Sequence, residues 1–398
     1  MSFPEICLAR GREKSLLRRH PWIFSGAIKK VTSDPAPGEV CAVKDADGIF
    51  LAWASWSPGS QISGRVWSFD QNEIINPDFF RRRIAAAAEL RDVAKLNFPD
   101  GGCRLIFSES DNLPGVIADR YAGFIAVQIL SAGAEFFRRE IVDALMALPG
   151  VRGVYERSDA SVRKHEKLPL RTGIAAGENP PENIIINENG MLFAVDPVKG
   201  QKTGFYFDLR DARKKVCKLA GGRKVLNLFC YTGGFAVAAL RGNAASVMNV
   251  DSSRPALMQA QKNIELNNLD ASKCTFCAAD GFRTLDELAA SGEKFDLVIL
   301  DPPKLVDSQK HLTKGCRAYS HLAKRGFELL ADGGILMNFS CSGLMTSELF
   351  QKITADAAVQ SGCDCAIIDT VRQSADHPVS LAVPETFYLK GLVSLKRN

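Results

Sequence analysis

"VLNLFCYTGGFAVAALRGNAASVMNVD" (residues 225–251) reads as a strand, a glycine turn, a helix and a second strand. The runs Val225–Leu228 and Ser246–Val250 are largely apolar, as in strands covered on both faces, and the alanine-rich stretch between them suits a helix. Strands joined through such a crossover lie parallel. Downstream the rhythm continues, with strands expected at Cys274–Ala278, Phe295–Leu300 and Gly334–Phe339, and a last, edge strand at Phe387–Leu395. From about residue 184 the chain is therefore expected to form a doubly wound, mostly parallel α/β sheet. Ligands of such sheets bind beyond the carboxyl ends of the strands, so those ends are where chemistry is to be sought.

Upstream the pattern differs. In residues 1–72 short β-like runs (Val40–Val43, Ile49–Trp56, Ile62–Trp67) alternate with Asp-Gly and Pro-Gly turns, which suits a small β-barrel. A helix follows at Pro77–Lys95, opened by a proline where helices tolerate one. Strands at Arg104–Ser108, Val116–Arg120 and Phe124–Leu130, a helix near Glu135–Ala147 and a strand near Val151–Tyr155 make an α+β middle piece. The expected boundaries are 1–72, 73–183 and 184–398.

The 398-residue composition, 46% hydrophobic and 24% charged, is that of a globular chain. The opening MSFPEICLARGREK has no apolar signal core, and no run approaches ~18 apolar residues, which points to a cytoplasmic protein with no membrane partner. Eleven cysteines in a chain of this size are expected to be reduced thiols. Net charge is +5, and residues 1–31 alone carry Arg10, Arg12, Lys14, Arg18, Arg19, Lys29 and Lys30 against Glu5 and Glu13. A cationic segment favours a polyanion such as nucleic acid, with the adjacent Arg18 and Arg19 as candidate contacts.

Within the α/β part, the stretch from Asn227 through Phe229, Tyr231 and Thr232 to Gly233 is the candidate cofactor loop. Glycines there let a ligand approach the backbone, and the amides opening the next helix favour an anionic group. The loop matches neither the dinucleotide glycine pattern nor the phosphate-binding loop with its Lys-Ser/Thr. Asp251, about 20 residues on, ends the second strand, where an acid accepts hydrogen bonds from both ribose hydroxyls. Asp280 and Phe282 follow the third strand, one suited to an adenine amine and the other to its ring. An adenosine pocket without a pyrophosphate loop favours S-adenosyl-L-methionine over a dinucleotide.

"LDPPK" (300–304) then places Asp301 at the end of the fourth strand, ahead of two prolines that hold the backbone extended without ladder hydrogen bonds. Fixed polar groups at that point suit the reading of a flipped base. Amino-methylating enzymes carry an aromatic residue after the prolines; here the residue is Lys304, which weakens that reading. The fifth strand ends in "NFSCSG", with Cys341 beside Asp301 in the sheet order expected. Carbon 5 of cytosine becomes nucleophilic once a thiolate adds at carbon 6, which makes Cys341 a candidate nucleophile. Cys230 competes as a second thiol near the pocket. "CTFC" (274–277) lies inside a strand with no second pair at zinc spacing, so no metal is expected. His377, in a turn before proline, suits either a structural role or a substrate contact.

Together "LLRRHPWIFSGAI", "GQKTGFYFDLRDAR", "LNLFCYTGGF", "LDPPK", "FSCS" and "DHP…PETFYLKGL" resemble the bacterial large-subunit ribosomal RNA cytosine-5 methyltransferases with an N-terminal PUA domain, over nearly the whole chain. The resemblance implies a Rossmann-like S-adenosylmethionine methyltransferase domain preceded by a PUA β-barrel and an α+β middle domain, with 23S ribosomal RNA as partner. It makes Cys341 the nucleophile and puts Arg210, Asp251 and Asp280 at the cofactor. Asp301 would position the base, with Lys304 and His377 toward RNA; a homodimer is a further partner to consider. Family members often carry Asp-Gln-Arg where this chain has Asp208-Leu209-Arg210, and the Asp-Pro-Pro motif has no cysteine, so the base that removes the carbon-5 proton is unassigned. A base-amine methyltransferase and a non-catalytic RNA-binding assembly factor are the competing classes.

Overall fold

A computed structural model describes residues 3–397. They divide into two compact units, one running to Ile186 with residues 195–207 and 375–386, the other comprising 187–194, 208–374 and the chain from Phe387. Against the expected division at 72 and 183, the first two segments thus share one unit. Two pieces from within the third, 195–207 and 375–386, join them.

The first unit carries two sheets. One has six strands in the order Trp22–Phe24, Ile62–Ser68, Phe50–Trp56, Val40–Lys44, Glu5–Leu8, Ile28–Val31, around a core that includes Ile6, Leu8, Cys41, Val43 and Ala54. The other has five, in the order Arg171–Gly177, Gly153–Ser158, Phe124–Ile129, Val116–Tyr121, Gly102–Phe107. Trp67 explains why the two do not separate. It leaves the first sheet's strand to join the second core, its ring 5.4 Å from Phe80 and 6.2 Å from Phe137, both edge-on. Such aromatic pairs add about 0.5–1.5 kcal/mol each beyond the area they bury. The helix Pro77–Val93 that follows is capped by Asn76, whose side chain accepts from Phe79 N. The single helix expected at 135–147 is broken at Phe137 (φ −98, ψ 21) into Ala132–Phe136 and Arg138–Met146.

The second unit is built on one seven-stranded sheet. Its strands are β1 (Lys224–Leu228), β2 (Ser246–Asp251), β3 (Cys274–Ala278), β4 (Phe295–Leu300), β5 (Leu330–Ser340), β6 (Cys365–Arg372) and β7 (Lys390–Lys396). Helices α1 (Arg210–Leu219), α2 (Gly234–Arg241), α3 (Arg254–Leu266), α4 (Gly281–Ser291), α5 (Leu312–Glu328) and α6 (Ser347–Gln360) alternate with them. The order is β3-β2-β1-β4-β5-β7-β6, parallel from β3 to β5, with β7 antiparallel to both its neighbours. Strand order reverses between β1 and β4, the switch point where ligands of such sheets bind.

The last strand is not the edge that the sequence leads one to expect, because β7 inserts between β5 and β6. Its first five residues are buried, as an interior position requires, whereas β6 is mostly exposed, with Asp369 and Arg372 charging the rim. The hairpin Ile184–Glu188/Met191–Val195 lies outside the expected strands, although its Asn189-Gly190 turn, both φ positive (55° and 78°), is a strong short-range hairpin signal. No helix among the described residues is long and apolar enough to cross a membrane.

The first unit depends on a buried charge. Arg91 is 0% exposed, and its guanidinium donates to Asp111 Oδ1 at 2.6 Å and Oδ2 at 2.9 Å, to Asp376 O at 2.8 Å and to Arg104 O at 2.8 Å. Asp111→Ala leaves that cation unpaired inside the protein, and should destabilise the unit by about 3–5 kcal/mol. Urea unfolding followed by tryptophan emission reads this directly, since Trp22, Trp53, Trp56 and Trp67 all lie in this unit.

Candidate active site

Five strands of the second unit end on the same side, and each end carries a residue singled out from the sequence. β1 runs into the loop Phe229–Gly233, where three residues take left-handed backbone angles: Phe229 (φ +60), Tyr231 (φ +47) and Gly233 (φ +77). Two of these are aromatic, and each such conformation costs of order 1–3 kcal/mol, so the surrounding structure has to enforce it. Asp251, half-buried at the end of β2, does so: Oδ2 accepts from Tyr231 N and Oδ1 from Ser253 N, both at 2.8 Å. On the far side Asn263 donates to Thr232 O at 2.9 Å. Gly233 is required twice over, by its φ and because a Cβ there would sit 2.6 Å from Ala260 Cβ.

Beyond β3, Asp280 caps α4 by accepting from Arg283 N at 3.0 Å and is otherwise exposed to solvent. Phe282 meets Phe229 edge-on at 5.9 Å between ring centres. Gly281 lies under the Phe229 ring, where a Cβ would come within 2.6 Å of Cε1. The half-buried aromatic pair and the two strand-end acids therefore lie at the same end of the sheet, on neighbouring strand ends.

β4 and β5 supply the other half. Leu300 pairs with Asn338, so the half-buried Asp301 leaves β4 next to the end of β5. Residues 301–307 then run without regular structure, Pro302 buried and Lys304 exposed, until Val306 N donates to Ser342 Oγ at 3.2 Å. Two consecutive prolines suit such a crossing, because they carry no N–H that needs a partner. Cys341 is half-buried between Ser340 and Ser342, which are 1% and 0% exposed. Cys230 differs: it is buried, and burial first, with Asp251 nearby, pushes its thiol far up, as suits a packed side chain.

Three expected site residues are buried. Asn227 is fully buried in mid-strand, donating to Asn249 Oδ1 at 3.0 Å. Arg210 is 3% exposed, with Nη1 3.7 Å from Glu188 Oε2, on a carboxylate that Arg213 also grips at 2.6 and 2.7 Å. It shares that buried charge cluster, and its Nε is a buried donor. His377 belongs to the first unit, 2% exposed, with Nδ1 2.9 Å from Asp376 Oδ1 and its ring against Phe107, a structural setting. A turn histidine with an acid directly before it is a sign of such a self-contained pair.

Lys390 is a site residue that sequence reasoning misses. It is 5% exposed, lies opposite Ser340 across the β5–β7 ladder, and donates from Nζ to Ser342 O and Tyr388 O, both at 2.7 Å. Burial pulls its ammonium down to about 8, against the Cys341 sulfur, which acts the other way. A lone lysine in the apolar run "FYLKGLV" is the available signal.

An S-adenosylmethionine-dependent methyltransferase model matches residues 139–361, and a PUA-like domain model matches residues 6–69. A protein of Yersinia pseudotuberculosis named ribosomal RNA large subunit methyltransferase I is 51% identical over 386 residues, 97% of this chain and 98% of its own length; one from Yersinia pestis matches equally. The chain belongs to the ribosomal RNA large subunit methyltransferase I family. In fold it is similar to a solved methyltransferase chain from Streptococcus mutans (TM-score 0.84, 24% identity, covering 99% of this chain and 100% of that one) and to one solved as a complex with S-adenosylhomocysteine (TM-score 0.84, 23% identity, the same coverage). The family's cofactor fits what the residues offer: an acid at the end of β2, rings at 229 and 282, and glycines at 233 and 281 where a Cβ would clash.

Gly233→Ala should destabilise the second unit by about 1–3 kcal/mol through the left-handed φ and the clash with Ala260. Thermal unfolding followed by far-ultraviolet circular dichroism checks it; a variant melting with the wild type would mean that the loop adapts.

Proposed function

We propose that this S-adenosylmethionine-dependent methyltransferase acts on large-subunit ribosomal RNA (23S) and methylates carbon 5 of a cytosine. The observation that carries the reading is the half-buried Cys341 at the end of β5, next in the sheet to the strand that delivers Asp301. An amine methylation needs no thiol there, and the position after the prolines holds the exposed Lys304 where an amino-methylating enzyme stacks an aromatic ring.

When bound, S-adenosylmethionine supplies an electrophilic methyl group. Asp251 is suited to the ribose hydroxyls, Asp280 to the adenine amine through the oxygen its helix cap leaves over, Phe282 and Phe229 to the adenine faces, and the amides around Tyr231–Gly233 to the carboxylate. The Cys341 thiolate adds to carbon 6, and the displaced electron pair makes carbon 5 nucleophilic. Asp301 holds the ring by its Watson–Crick edge and favours the protonated, electron-poor base. Once carbon 5 is methylated, its proton leaves to a base, the carbon 5–carbon 6 double bond re-forms, and the sulfur departs with its electron pair. The seven basic side chains among residues 1–31 are all exposed, with Arg19 over the Phe69 ring at 4.9 Å, which supports a role for this unit in holding the RNA backbone.

Cys341→Ala should keep cofactor affinity and lose methyl transfer by several orders of magnitude. Wild type, but not the variant, should form a gel-stable adduct with RNA bearing 5-fluorocytosine, and Cys230→Ala should retain it. Methyl recovered on adenine or guanine in digested RNA would overturn the assignment. For the RNA-holding surface, neutralising Arg18 and Arg19 together should lower RNA affinity and flatten its salt dependence, with cofactor affinity unchanged. The slope of log affinity against log salt should fall by about 0.7–0.9 for each phosphate that is no longer neutralised. An identical slope would make that segment a solvated face only.

A further inference from the structure

Methylation through Cys341 needs a thiolate, yet a free thiol titrates near pH ~8.5 and no histidine adjoins this one in sequence. We infer that Lys390 holds Cys341 as a thiolate–ammonium pair, acting as a positioning residue for the nucleophile; the inference rests on the reading of Cys341 given above.

The geometry comes from the register. Lys390 lies opposite Ser340 in the antiparallel β5–β7 ladder, and its side chain runs to the carbonyl of Ser342, so it spans the chain on either side of Cys341. Its amine is met by two carbonyls, Ser342 O and Tyr388 O, which occupy two N–H bonds. The remaining position is a lone pair when the lysine is neutral and an N–H when it is charged. In the proposed pair that position takes the thiol proton. When the S–H bond breaks, its electron pair stays on sulfur and the proton forms the third N–H bond. The sulfur then makes the bond to carbon 6 and returns to the same pair when it leaves. A buried ammonium is costly without a partner, and a buried thiolate likewise; together each offsets the other's desolvation.

The other charged or titratable groups on elements packed around the pair are few. Tyr319 of α5, whose hydroxyl lies 3.1 Å from Ser342 Oγ, is pushed up by burial and also feels Cys341. Arg372 of β6 is the cross-strand partner of Lys390 and is exposed. Asp301 and Lys304 lie on the segment leaving β4, and Asp208 is held by the Tyr388 hydroxyl at 2.6 Å. On α6, Glu348, Lys352 and Asp356 are exposed. Tyr319 is neutral at working pH, and the three exposed cations (Lys304, Lys352, Arg372) are opposed by Asp301, Glu348 and Asp356 and screened by solvent, so Lys390 is the buried cation placed to govern the thiol.

The test is alkylation of Cys341 by iodoacetamide against pH, read by mass spectrometry on the tryptic peptide 326–352, in which Cys341 is the sole cysteine. In wild type the midpoint should fall at least one unit below the free-thiol value of about 8.5. Lys390→Met should raise it, making alkylation at pH 7 roughly tenfold slower or more, whereas Lys390→Arg, charged at every pH, should keep it low. A wild-type midpoint at or above the free-thiol value overturns the pair whatever the variants do. So does a folded Lys390→Met with an unchanged midpoint. The readout involves no RNA, so the two claims separate. A shifted midpoint with full activity in Cys341→Ala would keep the pair and discard the nucleophile, while an inactive Cys341→Ala with no shift would do the reverse.

Discussion

Ser342 is the fixed point of the region around Cys341. Fully buried, it bonds with four elements at once: its N–H donates to Ser340 Oγ, its hydroxyl meets Val306 N and the Tyr319 hydroxyl, and its carbonyl accepts from Lys390. The Asp-Pro-Pro segment, α5, β5 and β7 therefore converge on the residue after Cys341. Each of these bonds is buried, and leaving such a group unmatched costs about 1–3 kcal/mol, so the cluster resists displacement as a unit. Cys341 is held by its neighbours on either side while staying half-open itself.

The cofactor half works by a different device. Strain at Phe229 and Tyr231 is held in place by Asp251, whose two oxygens take backbone amides from two successive turns. A carboxylate oxygen accepts more than one hydrogen bond, so Asp251 shapes the loop and keeps acceptor capacity for the ribose proposed above. Its removal would act on the loop and on the ligand together. Asp280 likewise caps α4 with one oxygen and leaves the other exposed.

In the first unit the decisive groups are apolar and charged at once. Trp67 joins two sheets that the turn pattern alone would separate, and Arg91 draws residues 375–386 into the same unit through Asp376. The motif "DHP" is thereby explained as packing: Asp376 accepts from Arg104 N and orients His377 against Phe107. Its chemistry-bearing residue types suggest a site, but their partners lie far away in sequence.

By itself the sequence determined what depends on local pattern. The parallel core from β1 to β5, the glycine turn and the acids at strand ends all follow from apolar periodicity and from where polarity interrupts it, signals carried within a few residues. Burial and pairing across the chain were decided only in three dimensions. Asn227 sits beside the right motif yet is turned inward to Asn249, and Arg210 shares the Glu188 carboxylate with Arg213, partners that lie far off in sequence. The placement of β7 inside the sheet, and with it Lys390 alongside Cys341 from 49 positions further on, depends on a ladder register that no local signal encodes. A lysine's neighbours in the chain fix its strand, but only the strand pairing decides which carbonyls and which sulfur it meets.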